Sequence, residues 1–235
     1  ILIDQFHYTY LVYILLVIVN GGQIMFQLTD KYYELINHYR DMACNGYHRD
    51  DGLFVNKTYG TAEPLKFKEE IKTIANHFKS KTALDYGSGG SDLNTEEISE
   101  GVSFRDYVGL KKIYQFEPAR DLKKKGKFDM VLSFDVLEHI FIADLPWVIN
   151  DIFSKANKCV LINVACYEAA ALLPNGENAH ITLRHPLWWL GQIECISTLH
   201  KNVAWGLFTS QDYNEPKFHG IRRMNEIILN KSFKN

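Results

Sequence analysis

The stretch Thr82-Ala83-Leu84-Asp85-Tyr86-Gly87-Ser88-Gly89-Gly90 reads as a short apolar strand that ends in a glycine-rich turn. Without a Cβ, Gly87, Gly89 and Gly90 let the backbone turn sharply and come close to a ligand. A helix is expected directly after the turn, and its first N–H groups would be free to bind. In an open parallel sheet, ligands sit outside the carboxyl ends of the strands where the chain order reverses, and a first glycine-rich turn belongs there.

Working outward, residues 30–44 place Tyr33, Ile36, Tyr39 or Arg40, and Ala43 at helical spacing, with Asp30 as N-cap. Residues 45–52 form a glycine- and charge-rich loop, and residues 65–78 repeat the helical pattern through Ile71, Ile74, Ala75 and Phe78. Strands are predicted at 112–116, ending at Glu117-Pro118, and at 129–134, leading into Asp135-Val136-Leu137-Glu138-His139. Asp144 reads as the N-cap of a helix through Trp147, Ile149 and Phe153, with Pro146 in the first turn, where it is tolerated. A β-branched run at 158–164 makes a fourth strand, and after Trp189 only 202–209 reads clearly as another. Alternating strands and helices predict an α/β, doubly wound, mostly parallel sheet with helices on both faces. Glu117 to Asp129 leaves little room for another strand, so by comparison with the fuller sheet that a family resemblance given below implies, the sheet is expected to be abbreviated there and at the C-terminal strands.

At 235 residues, 46% hydrophobic and 23% charged, the chain has the size and composition of one α/β domain with covering structure. Its net charge of −2 provides no basic field for a phosphate backbone, so nucleic acid is not indicated. Lys123, Lys124, Lys125 and Lys127 read as a solvated loop. Cys44, Cys159, Cys166 and Cys195 form no C-x-x-C pair and show no ligand spacing. They predict reduced thiols in a cytoplasmic protein, and no metal site is expected. Residues 8–19 are almost wholly apolar but short for a membrane span. The sequence divides into an apolar leader at 1–24, non-native or a short anchor, and a single domain at 25–235 that starts behind Met25. Membrane association is expected only if 8–19 is a genuine anchor.

The turn also bears on its ligand. A dinucleotide site wants a third glycine at position 92, where this chain has Asp92, and Asp85 precedes the loop. Two carboxylates repel a pyrophosphate but tolerate a cationic cofactor. Glu117, at the end of the second strand, can accept both ribose hydroxyls. It follows Gly87 by 30 positions, longer than the spacing of about 20 in dinucleotide domains.

In combination, Leu84-Asp85-Tyr86-Gly87-Ser88-Gly89, Phe116-Glu117-Pro118, and Phe128-Asp129-Met130-Val131 leading to Phe134-Asp135-Val136-Leu137-Glu138-His139 resemble the ordered motifs of class I S-adenosylmethionine-dependent methyltransferases. The resemblance spans roughly residues 65–189 and implies a Rossmann-like fold that binds S-adenosyl-L-methionine. By that resemblance Asp85, Gly87 and Gly89 hold the methionine part, Glu117 holds the ribose, and Asp135 borders the methyl-transfer site, with Tyr86, Ser88 and Val136 completing the expected cofactor-binding residues. The family's adenine-binding acid has no evident counterpart; Asp121 is the nearest candidate.

Leu173-Pro174-Asn175-Gly176-Glu177-Asn178-Ala179-His180, followed by Pro186-Leu187-Trp188-Trp189, resembles a bacterial and phage subgroup of these enzymes. The loop follows the fourth strand and so emerges on the cofactor edge. His180 or His139 is expected as the base that takes a proton from the acceptor, with Glu177 or Asn178 orienting it. A capping or packing role remains open for both histidines. Trp188 reads as a helix face or an aromatic substrate wall. The expectation is a methyltransferase acting on a small-molecule or saccharide acceptor. The rival readings are a catalytically silent Rossmann-like binding module and a nicotinamide-dependent oxidoreductase.

Overall fold

The computed structural model describes residues 27–56, 63–212, 216–224 and 226–229. The expectations for residues 1–24, including the run at 8–19 and the start at Met25, lie outside them.

The chain is α/β, built around one seven-stranded mixed sheet. In chain order the elements are α1 (Asp30–Asn45), β1 (Tyr47–His48), β2 (Phe54–Val55), α2 (Glu63–Lys66), α3 (Lys68–His77), β3 (Thr82–Tyr86), β4 (Glu97–Ser99), β5 (Val102–Ser103) and α4 (Phe104–Val108). There follow β6 (Lys112–Phe116), β7 (Phe128–Phe134), α5 (Leu145–Ser154), β8 (Ala156–Ala165), α6 (Pro186–Ser197), β9 (Ala204–Ser210), β10 (Pro216–Arg223) and β11 (Glu226–Leu229). The sheet order is β11-β10-β9-β8-β7-β3-β6. The five strands from β6 to β9 run parallel, and β10 and β11 are antiparallel additions.

Successive residues of each strand point to opposite faces, so strands buried on both sides read as continuous apolar runs. In β7 and β8, Val131, Val160 and Ile162 face α5 and α6, meeting Ile149, Phe153, Trp189 and Ile193. Met130, Leu132, Cys159 and Leu161 face the other way, toward Ile71 and Ile74 of α3 and Phe104 of α4. This two-sided burial is what the β-branched run at 158–164 encodes.

Three expectations change. Thr29, not Asp30, caps α1: its side chain accepts from the Tyr32 N–H, and Asp30 is the first helical residue. Asp144 occupies the predicted N-cap of α5 but makes no capping bond there. Its carboxylate instead accepts from the Thr29 N–H at 2.7 Å and the Thr29 hydroxyl at 2.8 Å, tying the start of α1 to the start of α5. The C-terminal edge is fuller than expected. Pro216, Lys217 and a register shift between Phe218 and Ile221 break the alternation that would have marked β10.

As the short 118–128 interval predicted, no strand forms between β6 and β7: β6 is the edge strand, and only a 3₁₀ turn (Pro118–Arg120) lies in the interval. An unpaired strand edge needs cover. Here the Asn94 side chain lies along it, with Nδ2 donating to the Ile113 carbonyl at 2.8 Å and Oδ1 accepting from the Ile113 N–H at 3.0 Å.

Among the described residues, no helix is long and apolar enough to cross a membrane.

Candidate functional site

The chain leaves β3 to form β6 on one side and then crosses back to form β7 on the other. The crevice at a topological switch point therefore opens above the ends of β3 and β7. The Gly87 turn and Asp135-Val136 meet there. Gly87 has φ +82°, and a Cβ built on it would lie 2.5 Å from Val136 Cγ2. Only glycine satisfies both the conformation and the contact. The Gly87 N–H donates to the Phe116 carbonyl at 2.8 Å, which pins the turn to the end of β6.

Glu117 stands beside it, 8% exposed. One carboxylate oxygen accepts from the Gly89 N–H at 2.9 Å and the other from the Ala119 N–H at 3.0 Å. Burial raises its pKa, and those two backbone donors oppose the rise. Each oxygen keeps a second lone pair for a ligand hydroxyl.

The helix expected after the glycine turn is not formed. Residues 91–96 turn along the β6 edge and lead into the β4–β5 hairpin, and helix resumes only at α4. Asp92 explains the turn, since its carboxylate accepts from both the Asn94 N–H and the Asn94 side-chain amide. The turn thus lacks the helix N-terminus that pyrophosphate sites use.

Asp85 also differs from expectation. It is buried beneath the turn, away from the cavity lining, and its Oδ2 has no hydrogen-bond partner among the described residues. Burial, reinforced by Glu117 and Asp92, pushes its carboxyl up to about 8. Its negative charge near neutral pH is therefore reduced, which weakens its repulsion of an anionic ligand. Ser88 is fully buried as well. Of the five turn residues expected to bind the cofactor, Tyr86, Gly87 and Gly89 line the cavity.

The cavity has a volume of about 580 Å³, within the usual range for small-molecule sites. One wall is Gly87, Gly89, Glu117, Asp135 and Val136; the opposite wall is α1, through Tyr32, Leu35, Ile36, Tyr39 and Met42. Sequence reasoning missed α1 as a wall, although these side chains recur at helical spacing and marked an apolar face. Tyr86, stacked on Phe116, lies on the floor and donates its hydroxyl to Asp151 at 3.0 Å.

The far end is closed by the loop after β8. This loop packs on Leu35 and Met42 of α1 through Ala169, Leu173 and Ala179. It also pairs with the β1–β2 hairpin, where the Asp50 N–H donates to the Ala170 carbonyl at 2.9 Å. His180 is brought from this loop to within 4.8 Å of His139 across the ring centroids. Asp135 completes a cluster in which one potential ligand atom from each residue lies within 4.8 Å of the others. No metal-ligating group was expected from the sequence, because Asp135 and His180 are 45 positions apart in the chain.

Hydrogen bonds fix the ring orientations. His180 Nδ1 lies 2.6 Å from the Tyr167 carbonyl and His139 Nδ1 lies 2.9 Å from the Ala179 carbonyl. A carbonyl only accepts, so each Nδ1 carries a proton, and in a neutral ring so held the lone pair is on Nε2. Burial, with His180 alongside, holds the His139 imidazole well below the usual histidine range. Behind the cluster Glu138 is fully buried and accepts from the Ala165 N–H. Its pKa is driven far up by burial and by Asp135.

The other candidates are placed elsewhere. Glu177 is exposed at the tip of the loop, beside Asn175 and Lys31, and does not line the cavity. The Asn178 amide is occupied within the loop: Oδ1 accepts from the Ala169 and His180 N–H groups and Nδ2 donates to the Ala169 carbonyl. It shapes the loop and does not reach the cavity. Trp188 packs edge-on against the buried Trp189 on α6, so the helix-face reading fits its position and the substrate-wall reading does not. Asp121 is exposed and paired with Arg40 at 2.9 Å.

No family model matches the sequence, and no curated protein and no solved structure is significantly similar to it.

Proposed function

We propose that the protein is an S-adenosyl-L-methionine-dependent methyltransferase with a small-molecule or saccharide acceptor. The observation that carries this reading is the arrangement at the switch point: the Gly87–Gly89 turn is hooked by its Gly89 N–H to the Glu117 carboxylate, and both open onto one cavity. Glu117 would accept the ribose hydroxyls, the turn would pack on the methionine part, and Val136 would separate the sulfonium from the acceptor end. There His180 or His139 would take the acceptor's proton. Methyl transfer is an in-line displacement, so alignment of acceptor and methyl group is the main task of the walls.

The nicotinamide reading is weaker because the turn does not open a helix and offers no dipole to a pyrophosphate. Calorimetric titration with S-adenosylmethionine, S-adenosylhomocysteine and NAD tests the choice, followed by a mass-resolved search of a cell extract for a product one methyl heavier. Binding of NAD alone would replace this reading. Binding of none would leave a silent module.

A further inference from the structure

We infer that Asp135, His139 and His180 form a binding site for a divalent first-row transition-metal ion at the acceptor end of the cavity. The inference rests on the methyltransferase reading only for what the ion does, not for its existence.

Three observations carry it. First, the three side chains come from separate places, the end of β7, the 3₁₀ turn that follows, and the loop after β8, yet present ligand atoms within 4.8 Å of one another. His180 Nε2 and Asp135 Oδ1 are 4.0 Å apart. Ligands about 2.1 Å from one ion lie roughly 3.0–3.5 Å apart, so closing on the ion needs shifts of about 1 Å. Second, both imidazoles donate Nδ1–H to a backbone carbonyl, which leaves Nε2 as the remaining lone pair. Metal-binding histidines are held in this way. Third, the fully buried Glu138 side chain contacts Asp135 from behind and accepts from the Ala165 N–H, so an outer partner holds the carboxylate ligand in place.

Two imidazoles and one carboxylate favour zinc, iron or cobalt over magnesium or calcium, which prefer all-oxygen sets. Asp135, His139 and His180 all line the cavity, so the positions not filled by protein face the acceptor. An acceptor hydroxyl bound there would lose its proton more readily, the proton passing to solvent at the cavity mouth. Its oxygen would then form the new bond to the methyl carbon as the carbon–sulfur bond breaks, with that electron pair remaining on sulfur. The imidazoles would then serve as ligands and not as bases.

The test uses the full chain, stripped with a chelator and titrated with Co²⁺. The inference predicts one equivalent bound at micromolar affinity or tighter, displacement by Zn²⁺, and a spin-echo or X-ray absorption signature of two imidazoles. His180→Gln, His139→Gln and Asp135→Asn should each weaken binding by more than the 10–100-fold seen when a group behind a ligand is lost. Absence of stoichiometric Co²⁺ binding by the wild type, or a signature without imidazole, would overturn the site whatever the variants do. Unchanged affinity in folded variants would also overturn it. S-adenosylmethionine binding is titrated on the same samples. Metal binding without cofactor binding keeps the site and discards the methyltransferase reading; the reverse keeps that reading and discards the site.

Discussion

Val136 fills the space that a side chain at Gly87 would need: an ideal Cβ there would lie 2.5 Å from Val136 Cγ2. The end of β7 thus sets how closely the turn after β3 can approach it. Gly87→Ala meets this clash and must also hold φ +82°, a conformation that costs a non-glycine residue about 1–2 kcal/mol. The variant should lose at least about 2 kcal/mol of stability and melt several degrees lower, with cofactor affinity reduced more than 10-fold. Differential scanning calorimetry and ligand titration check both. A variant that melts and binds like wild type would show that the turn is looser than described.

Asp85 predicts a pH dependence. Its pKa rises from 3.8 to about 8 on folding, so between those values the folded state holds a proton that the unfolded chain has lost. Stability therefore falls as pH rises through this window, by up to about 1.4 kcal/mol per pH unit for this group. Asp85→Asn removes the slope and should be more stable than wild type at pH 8, with little difference at pH 4. Denaturant melts at several pH values test this. The same slope in both proteins would mean that Asp85 ionises normally.

Glu117 receives two backbone N–H groups, one on each oxygen. In Glu117→Gln one of these donors would face an amide NH₂ in a buried place, at a cost of about 1–3 kcal/mol. Cofactor affinity should fall at least 10-fold, because turn and ribose partner are disturbed together. Isothermal titration of the folded variant reads this directly, and unchanged affinity would remove Glu117 from the cofactor site.

The loop after β8 distinguishes two neighbours. Asn178→Ala breaks the three bonds that join Ala169 to His180 and should lower turnover by about 10-fold or more while sparing cofactor binding. Glu177→Ala, at the exposed tip, should leave turnover within about two-fold. Steady-state rates on an identified acceptor decide it, and the opposite ranking would restore Glu177 as an orienting residue.

Much of the frame was legible because burial on both faces leaves a strong mark. The runs ending at Tyr86, Phe116 and Phe134 gave the strands and their carboxyl ends, and with them Gly87, Glu117 and Asp135. Local hydrogen bonding was less visible. Asp92 turns the chain aside with its own side chain where a helix was expected, and Asp144 caps nothing because it holds Thr29 across the fold. The grouping of Asp135, His139 and His180 depends on how a long loop packs against α1, which no local pattern records. Asn178 looked suited to a substrate contact but is occupied within its own loop, because an asparagine amide fits a turn as well as a ligand.

The most direct measurement is calorimetric titration of the purified full chain with S-adenosylmethionine and S-adenosylhomocysteine, with NAD as control. The account predicts one site of micromolar affinity for both sulfur compounds, weakened more than 10-fold in Gly87→Ala and at least 10-fold in Glu117→Gln. No heat from either, or binding of NAD in their place, would contradict it.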